Sequence, residues 1–324
     1  VNTLKIWCGF HVGPAALKLL QDGVAPHTLV LSRLASDSLL PPTPADEELS
    51  QVDVAFGQPD VGSILRSRTL RWIHLTTAGY TRYDTADFKA HARQENLPLT
   101  NSSSVYDEPC AQQVLAYMLA QSRALPAALA NQSPHGGEEW WQLRGQCRLL
   151  RHQTVLILGY GAIAKRMIEL LQPFGLTISA FRRQPKGDET VPIVSGPNLS
   201  AALAQADHVI NTLPASASTE KFVDHSRFSA MKTGAVFYNI GRGNTVDQEA
   251  LDQALHSGRL VAAWLDVTDP EPLPTDHPLR HRSNCFITPH TGGGFAHETE
   301  ALVQHFIENL RRFERNEKLR DQVM

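Results

Sequence analysis

Six apolar runs in the second half of the chain each stop on a residue suited to chemistry. Val155–Leu158 leads into Gly159-Tyr160-Gly161, and Thr177–Phe181 into Arg182-Arg183. His208–Leu213 stops at Pro214, and Ala235–Ile240 opens onto Gly241-Arg242-Gly243. Leu260–Leu265 ends in Asp266, and Cys285–Thr288 in Pro289-His290. From Leu150 to His290 the alternation is βαβα throughout, the pattern of a parallel, doubly wound sheet. In such a sheet ligands bind just beyond the carboxyl ends of the strands, where all of these residues fall.

The rest of the chain constrains the class. A length of 324 residues predicts two domains, since single cores rarely grow beyond about 250–300 residues. A net charge of −3 gives no electrostatic case for nucleic acid. No apolar stretch approaches the ~20 residues that span a bilayer, so no membrane partner is expected. The opening Val1–Ile6 reads as a strand, not a secretory leader. Cys8, Cys110, Cys147 and Cys285 are far apart and form no paired motif, which favours free thiols in a reducing cytosol.

The first hundred residues alternate short strands (Leu4–Cys8, Thr28–Leu31, Val52–Phe56, Trp72–Leu75) with helical stretches (Pro14–Gln21, Val61–Ser67), a second α/β unit. Pro41–Pro44 is a surface connection, because proline lacks the N–H that helix or sheet would use. Pro98–Thr100 is a last short strand, Asn101–Ser104 a polar loop, and Ala111–Arg123 a long helix. Pro126–Cys147 reads as irregular, with Trp140-Trp141 in a loop that either caps the core or covers a partner subunit. Thr245-Val246-Asp247-Gln248 fits a capping box before the helix that Gly258 closes. Glu298–Glu314 is a final amphipathic helix returning to the first domain.

Gly159-Tyr160-Gly161-Ala162-Ile163-Ala164 sits between a strand and a helical pattern. The first glycine permits a tight turn, the second lets backbone approach a pyrophosphate, and Ala164 is small enough for helix–strand packing. The helix start, at Ala162 and Ile163, supplies free N–H groups and a positive dipole end. The context points to a dinucleotide. About twenty residues on, where an acid would meet the ribose hydroxyls of NAD, stand Arg182 and Arg183; the next carboxylate is Asp188. A guanidinium pairs with a 2′-phosphate that an acid would repel. NADP(H) is therefore preferred and NAD(H) remains possible, since the pair could also be two solvated surface arginines.

His290 follows a strand and a proline and precedes glycines that allow close backbone approach. Histidine is the natural proton donor to a carbonyl near neutral pH. Glu271, stiffened by flanking prolines, could orient that imidazole and raise its pKa; by itself it is also a plausible solvated loop acid. Arg242 between two glycines can bind a carboxylate and polarise the adjacent carbonyl, or form a structural salt bridge. Thr76–Tyr80 could expose backbone N–H groups as an anion nest. His277 and His281 lie four apart across a proline with no third ligand in view, so no metal is expected there.

These stretches, in this order and spacing, resemble the D-isomer-specific 2-hydroxyacid dehydrogenases over essentially the whole chain. The matches are Thr77–Tyr80, Gly159–Ala164, Asn211–Thr219, Met231–Gly234, Asn239–Gly243, Val246–Leu251, Leu265–Val267, Pro270–Pro274 and Thr288–His290. The resemblance implies catalytic Arg242, Glu271 and His290, with Arg242, His290 and the backbone of Ala78 and Gly79 on the substrate. It implies cofactor contacts at Gly159, Gly161, Ala162, Ile163, Arg182, Arg183, Thr219, Ile240, Gly241 and Gly292, a shelf at Leu213-Pro214, and Asp266 on the nicotinamide side. It also implies a Rossmann domain over 104–291, a smaller flavodoxin-like substrate domain from 1–103 and 292–324, and a homodimer. Arg182–Pro185 with Pro270–Pro274 looks like the NADPH-dependent glyoxylate and hydroxypyruvate reductases. One departure is Gln112, where many members carry glutamate.

The expectation is a cytoplasmic reductase of a small 2-keto acid to its D-2-hydroxy acid, working between two closing domains. A 3-phosphoglycerate or phosphite dehydrogenase on the same scaffold is one alternative. A nucleotide-sensing protein like the C-terminal-binding-protein corepressors is another, disfavoured by the intact Arg–Glu–His set.

Overall fold

The computed structural model describes residues 3–36, 39, 42–131 and 136–324. The chain divides into two units: one runs to Tyr106 and resumes at Phe295, and the other spans Asp107–Gly294. Each is built on a parallel sheet.

In the first unit the strands are β1 (Lys5–Phe10), β2 (Thr28–Ser36), β3 (Val54–Gly57), β4 (Trp72–Leu75) and β5 (Leu99–Thr100). Their order, β2-β1-β3-β4-β5, is that of a flavodoxin-like sheet. β3 and β4 are buried along their whole length, which is why they read as apolar runs without alternation. The helix Glu298–Glu314 sends Leu302, Val303, Phe306, Ile307 and Leu310 into the core that holds Ile6, Cys8, Val54 and Phe56. That spacing is one stripe of a helix. The Phe306 ring stacks on Phe56 at 4.3 Å and on Trp72 at 5.2 Å.

The second unit contains β6 (Thr154–Leu158), β7 (Thr177–Phe181), β8 (Ile193–Val194), β9 (His208–Asn211), β10 (Ala235–Asn239), β11 (Leu260–Leu265) and β12 (Cys285–Ile287). The order is β12-β11-β10-β9-β6-β7-β8. The chain leaves β6 toward β7 on one side and resumes at β9 on the other, so the turn after β6 lies at a topological switch point. Register aligns the strand ends: Leu158 pairs with Asn211, Asn211 with Asn239, Asn239 with Leu265, and Leu265 with Ile287. The residues that follow each strand therefore share one edge of the sheet.

Local structure departs from the sequence reading in four places. The helix expected from Ala111 begins at Ser103, inside the predicted loop. Its first amides are capped partly from far away: Ser103 N donates to Asn101 Oδ1 at 3.2 Å, and Ser104 N to Asp321 Oδ2 at 2.8 Å. A cap 217 residues distant leaves no local signal. Trp140 and Trp141 lie on a helix, Glu138–Gln146, and not in a loop. That helix buries no residue, so it shows no apolar periodicity, and Arg144 stacks on Trp140 at 4.6 Å instead. A further helix, Leu125–Asn131, also falls in the stretch read as irregular. The capping box is shifted: Asp247, not Thr245, caps the helix Gln248–His256, accepting from the amides of Glu249 and Ala250. Of the Pro41–Pro44 connection, Pro41 lies outside the described residues.

Cys8, Cys110, Cys147 and Cys285 are free thiols. Among the described residues, no helix is long and apolar enough to cross a membrane.

Truncating Phe306 to alanine removes both ring stacks and leaves a void between Phe56 and Trp72. We expect a loss of roughly 3–5 kcal/mol of stability, the usual cost of deleting a buried phenylalanine ring. Denaturant titration checks this; a shift below about 1 kcal/mol would mean the helix is not integral to that core.

Candidate functional site

The turn after β6 is shaped for a phosphate. Gly159 has φ +110, a conformation that side chains disfavour. Gly161 precedes the helix Ala162–Leu171 and provides no side-chain cap, which leaves the first amides of that helix open. A Cβ on Gly161 would meet nothing within 4 Å, so the protein's own packing does not demand its bareness. Open space against uncapped amides at a switch point fits the pyrophosphate of a dinucleotide. Ala164, fully buried, allows the close helix–sheet approach.

The two arginines after β7 differ. Arg182 Nη1 lies 2.7 Å from both Asp188 and Glu189, and Asp188 is also 2.7 Å from Lys165. Hydrogen bonds from Lys165 and Arg182 hold the Asp188 carboxyl down to about 2. Arg183 is exposed and donates to Ser218 Oγ at 3.0 Å. The loop thus folds back acids that the sequence placed out of reach, and Arg183 is the less committed cation.

Next along the edge, Leu213 is buried, and Thr219 Oγ1 donates to Pro214 O at 2.6 Å, closing the turn over the shelf. Ile240 is buried and Gly241 N donates to Asn239 Oδ1 at 3.1 Å. Arg242 follows, its backbone carbonyl gripped by Thr245 Oγ1 at 2.6 Å and by Asn239 Nδ2 at 3.3 Å. Asn211 Nδ2 donates to both Asn239 Oδ1 and Thr245 Oγ1, and all three of these residues are buried. A Cβ on Gly243 would overlap the Thr268 carbonyl, so glycine lets this loop meet the one after β11. The half-buried Arg242 guanidinium donates to Gly241 O at 2.7 Å and has no ion-pair partner among the described residues. Burial pulls its pKa down from the ordinary arginine value.

His290 and Glu271 meet in that loop cluster, Nδ1 to Oε2, at 2.9 Å. A carboxylate only accepts, so Nδ1 carries the proton of this bond. Oε1 of Glu271 accepts the Thr268 amide at 3.0 Å, fixing the carboxylate's direction. The hydrogen bond to Glu271 raises the His290 pKa against its partial burial. Burial pushes Glu271 up, but the bonds from His290 and Thr268 outweigh it and hold the carboxyl below its usual range. His290 sits in the left-handed region at φ 52, held there by bonds from its amide to the Asp266 and Thr288 carbonyls. Strained backbone that is this firmly tied is characteristic of functional positions.

Asp266 anchors the same loop. Its Oδ1 accepts Thr288 Oγ1 at 2.6 Å and the Thr291 amide at 2.9 Å, and its Oδ2 accepts the Gly292 amide at 2.9 Å. Tyr117 OH lies 2.5 Å from Thr288 Oγ1 and takes a bond from Gln113 at 2.8 Å. Thr288, Tyr117, Asn211, Asn239 and Thr245 escape the sequence reading as site residues. The asparagines carry one signal, being polar residues that end otherwise apolar strands; Tyr117 carries none, lying on the apolar stripe of its helix.

The structure thus brings Arg242, Asp266, Glu271 and His290 into one cluster, with the glycine turn on the same sheet edge. Ala78 and Gly79 belong to the first unit, where their loop follows β4.

Residues 115–292 match the family model described as the D-isomer specific 2-hydroxyacid dehydrogenase NAD binding domain. The chain is 38% identical over 223 residues to the glyoxylate reductase/hydroxypyruvate reductase of Homo sapiens, covering 67% of this chain and 66% of that protein, just under two thirds of its length. It is 29% identical over 252 residues to the glyoxylate/hydroxypyruvate reductase B of Yersinia pestis, covering 75% and 74%. In structure it is similar to a D-isomer specific 2-hydroxyacid dehydrogenase from Xanthobacter autotrophicus Py2 solved with NADPH and MES. There the TM-score is 0.82 at 24% identity, covering 100% of this chain and 98% of the other. The chain belongs to the D-isomer-specific 2-hydroxyacid dehydrogenase family.

Proposed function

We propose that this chain reduces a small 2-keto acid, of the glyoxylate or hydroxypyruvate kind, to the D-2-hydroxy acid. One observation carries the reading: a histidine–carboxylate pair at 2.9 Å shares its loop cluster with a half-buried guanidinium that, among the described residues, has no direct ion-pair partner. A cation left in that state suits an anionic ligand.

In this reading Arg242 pairs with the substrate carboxylate and polarises the C2 carbonyl. The amides of Ala78 and Gly79 also serve the carboxylate. His290 gives its Nε2 proton to the carbonyl oxygen as the bond to hydrogen forms at C2, and Glu271 stabilises the imidazolium until then. The glycine turn, the Leu213-Pro214 shelf, Thr219, Ile240, Gly241, Asp266 and Gly292 hold the nicotinamide dinucleotide, which supplies the hydride when bound. Binding both reactants in fixed geometry can contribute roughly 7–11 kcal/mol toward lowering the barrier. The names of the human and Yersinia pestis relatives support the substrate class.

NADP(H) is the favoured cofactor, and within the arginine pair Arg183 with Ser218 is the better placed for a 2′-phosphate. Arg182 is already shared between two acids and serves chiefly to hold them aside. A homodimer is the expected assembly. Its support is the set of exposed apolar side chains Leu125, Leu129, Trp141, Leu149 and Val261, all in the second unit, and sedimentation of the purified chain tests it. Four free thiols favour a cytoplasmic setting.

His290→Gln is expected to lose roughly 10²–10⁴-fold in reductive kcat while keeping cofactor affinity, because proton donation alone is removed. A fall of less than about fivefold would exclude His290 as the acid. The pH profile carries a sign. The reductase needs protonated His290, and its raised pKa keeps the acid charged to higher pH, so kcat/KM for reduction falls as pH rises through that pKa. Glu271→Gln removes the largest cause of the shift and should move this basic limb to lower pH. An unmoved limb would separate Glu271 from the titration.

Arg183→Ala should weaken NADPH binding by at least about fivefold, allowing for solvent screening of an exposed contact, and leave NADH nearly unchanged. Fluorescence titration with each cofactor at fixed ionic strength checks it. Equal loss for both would make Arg183 structural.

A further inference from the structure

The loop after β4 is oriented by a wall of hydrogen bonds from Asn101 and Ser102. Asn101 Nδ2 donates to the Ala78 carbonyl at 2.6 Å, and the Ser102 amide donates to the Thr77 carbonyl at 3.1 Å. Ser102 Oγ also donates to Leu75 O at 2.7 Å. In a trans peptide the carbonyl of one residue and the amide of the next point in opposite directions. The carbonyls of Thr77 and Ala78 both face the wall, so the amides of Ala78 and Gly79 both face away from it. Among the described residues neither amide has a protein acceptor. Two successive free amides turned to the same side make an anion-binding concavity.

Asn101 can act in this way because its own carboxamide cannot flip. Its Oδ1 accepts Ser103 N at 3.2 Å and Ser103 Oγ at 2.9 Å, which leaves only Nδ2 to face Ala78. Asn101 is 2% exposed, so its carboxamide is shielded from competing water. Its backbone is held from behind: Asn101 N donates to Asp321 O at 3.0 Å, and His305 Nε2 lies 3.3 Å from Asn101 O and 3.2 Å from Asp321 Oδ2.

We infer that Asn101 is a positioning residue for substrate binding: it turns the Ala78–Gly79 peptide so that both amides receive the carboxylate of the keto acid, with Ser103 and the His305–Asp321 pair fixing Asn101 itself. This rests on the reading of the chain as a 2-keto acid reductase. Asn101 does not touch substrate, so its loss should weaken binding of the carboxylate more than it slows the chemical step.

The test is Asn101→Asp, which keeps the acceptor for Ser103 but presents oxygen to the Ala78 carbonyl, assayed with NADPH on glyoxylate and on its amide, glyoxylamide. KM for glyoxylate should rise at least about tenfold, with kcat within about threefold and the NADPH dissociation constant unchanged. The preference for glyoxylate over glyoxylamide should shrink, because only the carboxylate substrate loses its seat. An unchanged KM, an equal loss on both substrates, or a parallel loss of NADPH affinity would overturn the assignment. If Asn101→Asp does not fold, Ser103→Ala decides it: removing one of the two donors that hold Oδ1, while the amide at 103 stays, loosens the carboxamide and should give the same pattern at smaller amplitude, and an unaltered KM would count against the role. A wild-type chain that binds NADPH yet reduces no 2-keto acid would overturn the reductase reading and this inference with it. An active wild type with an indifferent Asn101→Asp would overturn this inference alone.

Discussion

The Asp266 carboxylate holds the working end of the second unit together. Its two oxygens take the Thr288 hydroxyl and the amides of Thr291 and Gly292, while its backbone carbonyl takes the amide of His290. A carboxylate has room for about four such bonds, so one side chain can fix a whole loop and still offer an acceptor to a ligand. Without that anchor nothing in the local sequence would keep His290 at a positive φ facing Glu271. The same carboxylate is buried, which makes its bonds stronger and the cost of leaving them unmade higher.

A second polar network does for Arg242 what Asp266 does for His290. Asn211, Asn239 and Thr245 are buried, polar and mutually bonded, and two of them hold the Arg242 carbonyl. Buried polar groups are tolerable only when fully partnered. Here that requirement fixes the loop geometry: shifting the Arg242 backbone would strand an asparagine amide in the core. The guanidinium itself has a backbone bond and, among the described residues, no direct ion pair; the Glu271 carboxylate acts on it only at a distance, and it keeps partial contact with solvent.

Much of this was legible in the residues. The parallel sheets, the glycine turn and the strand-end positions of Asp266 and His290 follow from apolar runs and their terminators, which are local signals. The Glu271–His290 pairing was legible as a possibility through proline stiffening and strand-end placement, and the structure supplies its distance. What stayed hidden depends on contacts distant in sequence. The start of the Ser103–Ser122 helix is set partly by Asp321, and the acids around Arg182 approach it only because the Lys186–Glu189 loop folds back. The Trp140–Trp141 helix is hidden for a different reason: a helix that buries nothing in its own unit carries no periodic stripe to read.

The cap that Asp321 places on Ser104 joins residues synthesised far apart in time. The second unit, Asp107–Gly294, is one continuous stretch and can close its sheet once that stretch has emerged from the ribosome. The first unit cannot be completed so early: Phe306 must stack on Phe56 and Trp72, and Asp321 must reach Asn101, His305 and Ser104, before the core on that face of the sheet and the loop at Ala78 take shape. The unit translated first is therefore the unit completed last: one face of its sheet can be covered by its own first hundred residues, but the other must wait for the helix Glu298–Glu314.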